Sequence, residues 1–346
     1  MMDRALEIAG YQQLRERQRE ARERGELMGI GLSTTVEVSG QGWESGRIDV
    51  EPDGTVIART GSSSHGQGHE TSFAQVVADR LGVPFEKVQI VHGDTTQTPV
   101  GVGTFGSRSM TLGGSALAVS AEGVKKKAVE VAASLLETSA SDLVYADGGV
   151  HVVGAPDRTV SLADIAKAAH DGVGLPDGEE GLSHQTRFEP GADAMPSGCT
   201  IAVVQIDRDT GRVRIQRMVT VDDCGTVINP LIVDGQVAGG LTQGIGQALF
   251  ERVVIDDDGQ LLTSSLLDYA VPTAHMVPEY EMDLTETPSP INPLGVKGVG
   301  ESGTVSAPPA IVNAVLDALS PLRIRHLDMP LTPDKIWRAI QGAGPN

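Results

Sequence analysis

Three glycine-rich loops carry the side chains of this sequence that are best suited to chemistry. The first loop, residues 62–71 (SSSHGQGHET), leads through Gly66 and Gly68 into a predicted helix. Glycines at such a position let backbone N–H groups approach an anion, and the positive end of the helix dipole adds to the attraction. The loop is therefore a candidate phosphate-binding site, although a GQG sequence by itself is more often an ordinary tight turn.

Two histidines in the first loop raise the alternative of a metal site. His65 and His69 are four residues apart, a spacing that places two imidazoles on one face of a helix. Gly66 and Gly68 make the intervening turn non-helical, however, and no acidic residue or cysteine stands out as a third ligand. The sequence therefore disfavours direct metal binding by these histidines.

The second loop, residues 101–111 (GVGTFGSRSMT), contains a single cation, Arg108, directly before a predicted helix. A guanidinium can hold a phosphate or another anion through two charge-assisted hydrogen bonds. The alternative is a solvated arginine on the protein surface. The sequence of the loop leaves both interpretations open.

The third loop, residues 293–304 (PLGVKGVGESGT), contains Lys297 and Glu301 among four glycines. A segment with so few side chains cannot build a core, so we expect its backbone to lie against another surface. In a dry, glycine-lined pocket the pKa of a carboxyl group rises, which suits Glu301 to take up a proton near neutral pH. Glu301 is thus a candidate general base, and an exposed loop glutamate is the alternative.

Composition excludes several functional classes. The chain has 346 residues, enough for two or three domains, and a formal net charge of −19. An acidic excess of this size repels a phosphate backbone, so nucleic-acid binding is not expected. No apolar run approaches the roughly 20 residues that span a bilayer, and the charged N-terminus lacks a signal-peptide pattern. We therefore expect a cytoplasmic protein with no membrane span.

Cysteine chemistry is not predicted. The two cysteines, Cys199 and Cys224, cannot form a disulfide framework or a four-thiolate metal site, and we expect ordinary buried residues. Residues 222–225 (DDCG) have no adjoining basic residue that would activate a thiol, so a structural turn is favoured there. The sequence also has no P-loop, G-x-S-x-G or H-E-x-x-H motif.

Hydrophobic periodicity predicts the elements that position the loops. Helix 233–250 contains five glycines that weaken it, of which Gly235, Gly239, Gly240 and Gly244 are taken to indicate close packing against another backbone. Residues 171–181 form a predicted loop. Helices are predicted over residues 4–24, 71–81, 113–136, 162–170, 233–250, 308–319 and 335–341, and strands over 28–39, 46–60 (a hairpin around Asp53-Gly54), 88–92, 200–206 and 213–222, with a short strand near His151.

The order of these elements lacks a regular βαβ repeat, so the expected class is α+β, with mixed sheets and packed helices. We expect an N-terminal surface helix over residues 1–26, a first α+β subdomain over 27–196, and a second α+β subdomain over 197–346 that carries the Glu301 loop. A soft boundary between the two subdomains falls near Met195-Pro196.

Taken together, the loops resemble those of the xanthine oxidase family of molybdenum hydroxylases. The similar segments are HGQGHET with the following FAQVVADRLGVP, VHGDTTQTPVGVGTFGSRS, DDCGTVINPLIVDGQVAGGLTQGIGQALFE and GVKGVGESGT. They look most like bacterial large subunits of the carbon-monoxide-dehydrogenase type. The resemblance runs from about Ala5 to about Trp337 in the family's order, and it favours the cofactor-binding interpretation of the first loop.

The resemblance implies a molybdenum cofactor, in which the dithiolene of molybdopterin cytosine dinucleotide holds the metal without direct protein ligands. It implies two catalytic residues: Glu301 as the base that removes a proton while a water-derived oxygen enters an aldehyde, an N-heterocycle or carbon monoxide, and Gln67 as a hydrogen-bond donor near the metal. The implied cofactor-binding residues are His65, Gly66, Gln67, Gly68, Thr71, Ser107, Arg108, Ser109, Gln236, Gln243, Lys297, Gly298, Val299 and Gly300.

The resemblance also implies partners. The family's large subunit is about twice as long, and its N-terminal half supplies another pterin loop and much of the substrate pocket. A natural split subunit and a fragment both fit, and either needs a chain with that half for activity. An iron–sulfur (2Fe-2S) subunit and an FAD subunit are further implied partners, since two cysteines cannot hold two clusters. The alternatives are a non-catalytic cofactor-binding or assembly module and an unrelated nucleotide-binding enzyme.

Overall fold

A computed structural model describes residues 1–176, 179 and 181–343. The helices are α1 (Met2–Ala9), α2 (Tyr11–Glu23), α3 (His69–Leu81), α4 (Ser115–Leu135), α5 (Leu162–His170), α6 (Pro230–Leu249), α7 (Ser302–Leu319) and α8 (Pro333–Gly342). The strands are β1 (Leu27–Val36), β2 (Glu44–Val50), β3 (Val56–Thr60), β4 (Val88–Val91), β5 (Leu143–Ala146), β6 (Gly149–Val152), β7 (Ala155–Ser161), β8 (Leu182–Phe188), β9 (Ser197–Ile206), β10 (Val213–Asp223) and β11 (Tyr280–Thr285).

One sheet has the strand order β4-β3-β2-β8 and is covered by α3 and α4. Its hairpin between β2 and β3 turns at Asp53-Gly54 as predicted, where Asp53 Oδ1 accepts a hydrogen bond from the Thr55 N–H at 2.8 Å. Helix α4 lies directly on β2, since a Cβ at Gly46 would come within 2.6 Å of the Ala116 carbonyl carbon. A small three-stranded sheet, β5-β6-β7, adjoins this unit.

A second sheet, with the order β1-β9-β10-β11, has helices on both faces. Alternate residues of β9 explain this arrangement. Ala202 and Val204 join the core beneath α6 and α7, whereas Ile201 and Val203 join the core beneath α1 and α2. A strand buried on both faces has a continuous apolar sequence, as residues 201–204 (IAVV) do here.

Both main sheets combine antiparallel with parallel pairing, since β3 pairs parallel with β4 and β10 pairs parallel with β11. The predicted α+β class is therefore confirmed. The division of the chain at residues 26 and 196 stays a prediction. Strand β1, which precedes residue 196, pairs with β9, which follows it, so one sheet draws on both sides of that boundary. Three residues of the predicted loop 171–181, numbers 177, 178 and 180, lie outside the described residues.

Helix α7 begins at Ser302 rather than at the predicted Pro308, directly after Glu301. Residues 302–322 are apolar and long enough to cross a membrane by length and composition, and half of that stretch is buried. Packing inside the protein explains the apolar composition of this helix. Strand β1 lies so close to α7 that a Cβ at Gly31 would overlap the Ala310 carbonyl oxygen. We assign α7 as a core helix whose first turns pack on α6 and whose later turns pack on β1.

Other helix boundaries also differ from the prediction. The predicted helix over residues 4–24 is broken into α1 and α2 at Gly10, which has a left-handed φ of 60°. A π-helical turn over Ser109–Gly114 precedes α4, so helical structure begins four residues before the predicted start at residue 113. Because π-turns occur mostly as local insertions near functional sites, this one draws attention to the second loop.

Candidate functional site

The three glycine-rich loops and one side of α6 surround a cleft with a volume of about 490 Å³. Most of the predicted site residues line it, namely Gln67, Ser107, Arg108, Ser109, Gln236, Gln243, Lys297, Gly298, Val299, Gly300 and Glu301. The cleft also has lining residues for which the sequence predicted no binding role: His69, Ser72, Thr104, Phe105, Met110, Cys224, Thr226, Ile228, Asn229, Ile232, Val233, Val296 and Thr304.

Glu301 lies at the start of α7 and is fastened to the second loop. Its Oε1 accepts a hydrogen bond from the Gly106 N–H at 3.1 Å, and its Oε2 accepts one from the Ser107 hydroxyl. The Glu301 N–H donates in turn to Ser107 Oγ at 3.0 Å. Glu301 is half-buried, so the alternative of an exposed loop glutamate is wrong. Its carboxylate is held in one place in the cleft wall.

The backbone of the third loop lies against other backbone, as the sequence predicted. A Cβ at Gly298 would overlap the Ser107 carbonyl oxygen and would come within 2.9 Å of Ser39 Cβ. Behind the loop, a Cβ at Gly303 would come within 2.5 Å of the Leu241 nitrogen in α6. Glycine at these positions is therefore what allows Glu301 to approach the second loop.

The close packing predicted for Gly235, Gly239, Gly240 and Gly244 of α6 is confirmed for the last two. A Cβ at Gly240 would lie 2.9 Å from the Thr304 nitrogen, and one at Gly244 would lie 2.7 Å from Ala307 Cβ. The prediction is wrong for Gly235 and Gly239, where an added Cβ meets no atom within 4 Å among the described residues. Both are exposed, so nothing in the described part of the chain presses on them.

Arg108 is almost fully buried, at 1% exposure, so the alternative of a solvated surface arginine is wrong. Its Nη1 donates to Glu44 Oε2 at 3.1 Å and to the Gly103 carbonyl at 2.6 Å. The rest of the guanidinium donates to the Gln41 and Trp43 carbonyls. These partners give Arg108 a structural role, while its contact with a phosphate stays a prediction.

Glu44 is a residue that the sequence analysis missed. It is fully buried, and besides Arg108 its carboxylate accepts the backbone N–H groups of Val102 and Gly103 at 3.0 to 3.3 Å. The burial of Glu44 could have been predicted from the alternation of side chains along β2, which places Glu44 on the same face as the buried Ile48 and Val50. A charge on a buried face requires a partner of opposite charge.

The first loop contributes Gln67 to the cleft. The Gln67 side-chain oxygen accepts a hydrogen bond from the His65 N–H, and the amide nitrogen has no partner among the described residues. His65 and Gly66 are exposed outside the cleft lining, and Thr71 lines a neighbouring groove. Gly68 caps α3 in a left-handed conformation with φ of 72°. Of the predicted binding residues in this loop, the structure thus brings only Gln67 to the cleft.

His69 lines the cleft although the sequence considered it only as a metal ligand. Its ring stacks on Phe73 at 4.9 Å, and Nδ1 has no hydrogen-bond partner among the residues that the structure describes. Burial lowers the pKa of His69 to about 4, so the ring is neutral at neutral pH. The burial of His69 could have been predicted from its spacing, because His69, Phe73 and Val77 are four residues apart on the buried face of α3.

Lys297 is half-buried and donates to Asp223 Oδ1 at 3.1 Å. Burial favours the neutral form of Asp223, but hydrogen bonds from Thr287, from the Gly225 N–H and from Lys297 together lower its pKa. The Lys297 N–H also donates to the Cys224 carbonyl at 2.7 Å. Asp222 and Asp223 are the last residues of β10, so the predicted turn at residues 222–225 is wrong. The segment still has a structural role, because Gly225 forms an isolated β-bridge with Val296 that holds the third loop in place.

Cys224 is the second cysteine that was expected to be an ordinary buried residue, and it is buried. Burial, followed by the negative charges of Asp223 and Asp222, raises the pKa of the Cys224 thiol to about 11. A thiol with such a pKa is protonated at neutral pH and is a poor nucleophile. Cys199 is buried as well.

The cleft suits a polar organic molecule rather than a bare metal ion. Its hydrogen-bonding side chains are mostly neutral, with Gln67, Gln236 and Gln243 on two sides, and its volume is in the range of small-molecule sites. Residues 1–176, 179 and 181–343 contain no group of three or more His, Cys, Asp or Glu side chains that could hold a metal ion.

Comparison with known proteins agrees with this geometry. A family model described as a molybdopterin cofactor-binding domain matches residues 4–278. The chain is 40% identical over 357 residues to the nicotine 6-hydroxylase large subunit of Paenarthrobacter nicotinovorans, with 99% of this chain and 44% of that protein covered. It is 39% identical over 361 residues to the carbon monoxide dehydrogenase large chain of Afipia carboxidovorans, with the same coverage.

A crystal structure of a Cu,Mo-CO dehydrogenase in the carbon-monoxide-reduced state superposes with a TM-score of 0.91 at 38% identity. The superposition covers 99% of this chain and 45% of that one. The chain therefore spans less than half the length of the relatives that it matches.

Proposed function

This chain belongs to the xanthine oxidase family of molybdenum hydroxylases, as a molybdopterin cofactor-binding domain, and from that premise we propose that its cleft binds the molybdenum cofactor and that Glu301 is the catalytic base. The observation that carries the proposal is the fixed Glu301 carboxylate in the wall of a cleft of about 490 Å³. Gly106 and Ser107 hold that carboxylate through two hydrogen bonds.

When bound, the cofactor supplies the two-electron redox chemistry by which a water-derived oxygen enters the substrate. The chain's own residues bind, orient and move a proton. Glu301 takes up that proton at a carboxylate oxygen, and its two donors keep the carboxylate aimed at one place. The unpartnered amide nitrogen of Gln67 donates a hydrogen bond to the bound group.

The remaining binding residues have supporting roles. Gln243 is oriented by Thr304, whose hydroxyl donates to Gln243 Oε1 at 3.1 Å, and Gln236 lies on the same helix. Lys297 places one cation at the cleft, where it suits an anionic part of the cofactor. Arg108 supports the second loop from behind through its pairing with Glu44. We propose the cytosine dinucleotide form of molybdopterin, which the family resemblance implies.

We propose that a partner chain completes the site with the part of the subunit that this chain lacks. The length of the relatives supports this, because the chain spans only 44% of each. Large apolar side chains on the surface also support it, with Leu266 81% and Leu267 91% exposed, and Phe105 beside the cleft 60% exposed. An iron–sulfur subunit and an FAD subunit would then carry the electrons away. Cytoplasmic location stays a prediction.

The substrate that we propose is a small electron-poor molecule of the aldehyde, N-heterocycle or carbon monoxide class. The names of two relatives, a nicotine 6-hydroxylase and a carbon monoxide dehydrogenase, support this range. Which of these substrate classes is used depends on the pocket that the partner chain completes.

Cofactor analysis tests the proposal. The chain is purified alone and together with a chain that supplies the rest of the subunit, and molybdenum content and pterin fluorescence after oxidation are measured. We expect both signals in near-equal molar amounts with the complex, and turnover only by the complex. A complex that contains neither molybdenum nor pterin contradicts the proposal, and turnover by the chain alone contradicts the need for a partner.

A further inference from the structure

A second carboxylate, Glu37, faces the Ser107 hydroxyl that holds Glu301. Glu37 follows the last residue of β1, and its Oε1 lies 3.4 Å from Ser107 Oγ. Ser107 donates to Glu301 Oε2 on its other side. One hydroxyl group therefore stands between two carboxylates, only one of which has a role in the proposed function.

The position of Glu37 is fixed by backbone. The Glu37 N–H donates to the Pro196 carbonyl at 3.0 Å, which joins the end of β1 to the start of β9. Ser107 is equally constrained, because its φ of 50° lies in the left-handed region that non-glycine residues rarely adopt. Strain of this kind persists where the surrounding structure requires one placement of a side chain.

The Ser107 hydroxyl has too few protons to donate a hydrogen bond to both Glu37 and Glu301. A serine hydroxyl has a single proton to donate. Ser107 Oγ already accepts the Glu301 N–H, so its proton can serve only one of the two carboxylates at a time. The second oxygen of Glu37, Oε2, is buried and has no partner among the described residues.

The charges around Glu37 favour uptake of a proton. Burial first, and then the negative charge of Glu301, raise the pKa of Glu37, while its hydrogen bond with Ser107 lowers it. The two cations that line the cleft have other partners, since Arg108 pairs with Glu44 and Lys297 pairs with Asp223. Among the charged groups on the elements packed against Glu37, it is therefore Glu301 whose charge raises the pKa of Glu37.

We propose that Glu37 is a positioning residue that receives, through Ser107, the proton that Glu301 takes from the reaction. Glu301 passes its proton to Ser107 Oγ as the Ser107 O–H bond breaks and that proton moves to Glu37 Oε1. The three groups keep the same total charge, Ser107 stays neutral, and Glu301 returns to its ionised form. This inference rests on the proposed function, in which Glu301 is the base.

The titration of Glu37 in the purified, cofactor-free chain tests directly whether Glu37 is coupled to Glu301 and Ser107. Infrared difference spectra are recorded against pH, and the Glu37 carboxyl signal is identified as the one missing from Glu37→Gln. We expect this signal to move to lower pH in Glu301→Gln, which removes a neighbouring negative charge, and to higher pH in Ser107→Ala, which removes the hydrogen bond. The exposed Glu279→Gln is the matched control. An unchanged Glu37 titration in both cleft variants overturns the proposal.

Kinetics of the cofactor-loaded complex then separate this inference from the proposed function. Glu37→Gln should lower kcat by roughly tenfold or more with little change in KM, and Glu37→Asp should restore part of the rate. Wild-type turnover should fall as pH drops through the Glu37 pKa, and Glu37→Gln should lose that dependence. If Glu301→Gln abolishes turnover while Glu37→Gln keeps the wild-type kcat and pH profile, only the proposed proton transfer to Glu37 is wrong. If Glu301→Gln itself turns over normally, the proposed function is wrong.

Discussion

Arg108 Nη1 donates to Glu44 Oε2 at 3.1 Å, and neither side chain is more than 1% exposed. The pair joins β2 to the second glycine-rich loop, whose Val102 and Gly103 N–H groups bind the same carboxylate. Because that loop also supplies Gly106 and Ser107 to Glu301, the buried ion pair helps to determine where the carboxylate of the proposed base is held.

Replacement of Glu44 with Gln should therefore destabilise the chain. The variant leaves the buried Arg108 guanidinium without its counter-charge, and loss of one partner of a buried pair typically costs about 3–5 kcal/mol in the free energy of unfolding. Denaturant titration of the purified chain measures the difference. The control is Glu51→Gln, an exposed carboxylate directly after the last residue of β2, which should change stability by less than about 0.5 kcal/mol. Equal midpoints for the two variants would refute the structural role of the pair.

Two glycines of the third loop provide a matched pair of alanine variants. Gly298→Ala places a Cβ against the Ser107 carbonyl oxygen and Ser39, both rigidly held, whereas a Cβ at Gly300 comes no closer than 3.5 Å to Ser107. We expect Gly298→Ala to lose most turnover in the loaded complex and to destabilise the chain by roughly 1–3 kcal/mol, as overpacking does. Gly300→Ala should stay close to wild type in stability, because its added Cβ meets no atom closer than 3.5 Å among the described residues. Equal losses of stability in the two variants would contradict the close approach of Gly298 to Ser107 and Ser39.

His69 predicts a dependence of stability on pH. Its folded pKa of about 4 lies below the ordinary value of 6.5. Between these values the unfolded chain binds a proton that the folded chain does not, so the free energy of unfolding should fall as pH is lowered from about 6.5 to 4, by up to about 3 kcal/mol. Replacement by Phe, which preserves the stacking on Phe73, should remove this contribution.

Denaturation at pH values across that window measures the effect for wild type and His69→Phe. Asp222 acts in the opposite direction, because burial raises its pKa to about 6 and the stability that this gives is lost as pH rises through that value. Asp222 is present in both proteins, so its contribution cancels in their difference. A difference that does not change with pH would mean that His69 is not the buried neutral histidine described here.

Local patterns predicted the elements, while the contacts that build the site are largely non-local. The alternation of β2 and β3 and the apolar stripe of α3 are properties of short segments, and these elements lie where they were predicted. The pairing of β1 with β9, by contrast, joins segments about 170 residues apart, and no local pattern specifies it. The same holds for Arg108, whose charge was visible but whose partner, Glu44, lies 64 residues away.

Glu301 was accessible to sequence reasoning because a lone carboxylate among glycines is conspicuous. Its partner Ser107 was predicted only as a cofactor contact, since a left-handed φ at a serine has no sequence signal. Glu37 was missed because it follows a strand in which nothing marks an acidic residue as unusual. The predicted start of α7 at Pro308 was wrong because packing of residues 302–307 on α6 outweighs the preference of proline for a helix start.

The most direct test of the central claim is turnover per bound molybdenum for Glu301→Gln in the complete complex. The substitution preserves the size and much of the hydrogen bonding of the side chain but removes its ability to accept a proton near neutral pH. We predict unchanged molybdenum and pterin content with a loss of turnover of at least about a hundredfold, whereas Glu279→Gln stays at the wild-type rate. A Glu301→Gln complex that keeps its cofactor and turns over at a rate close to wild type would contradict the assignment of Glu301 as the catalytic base.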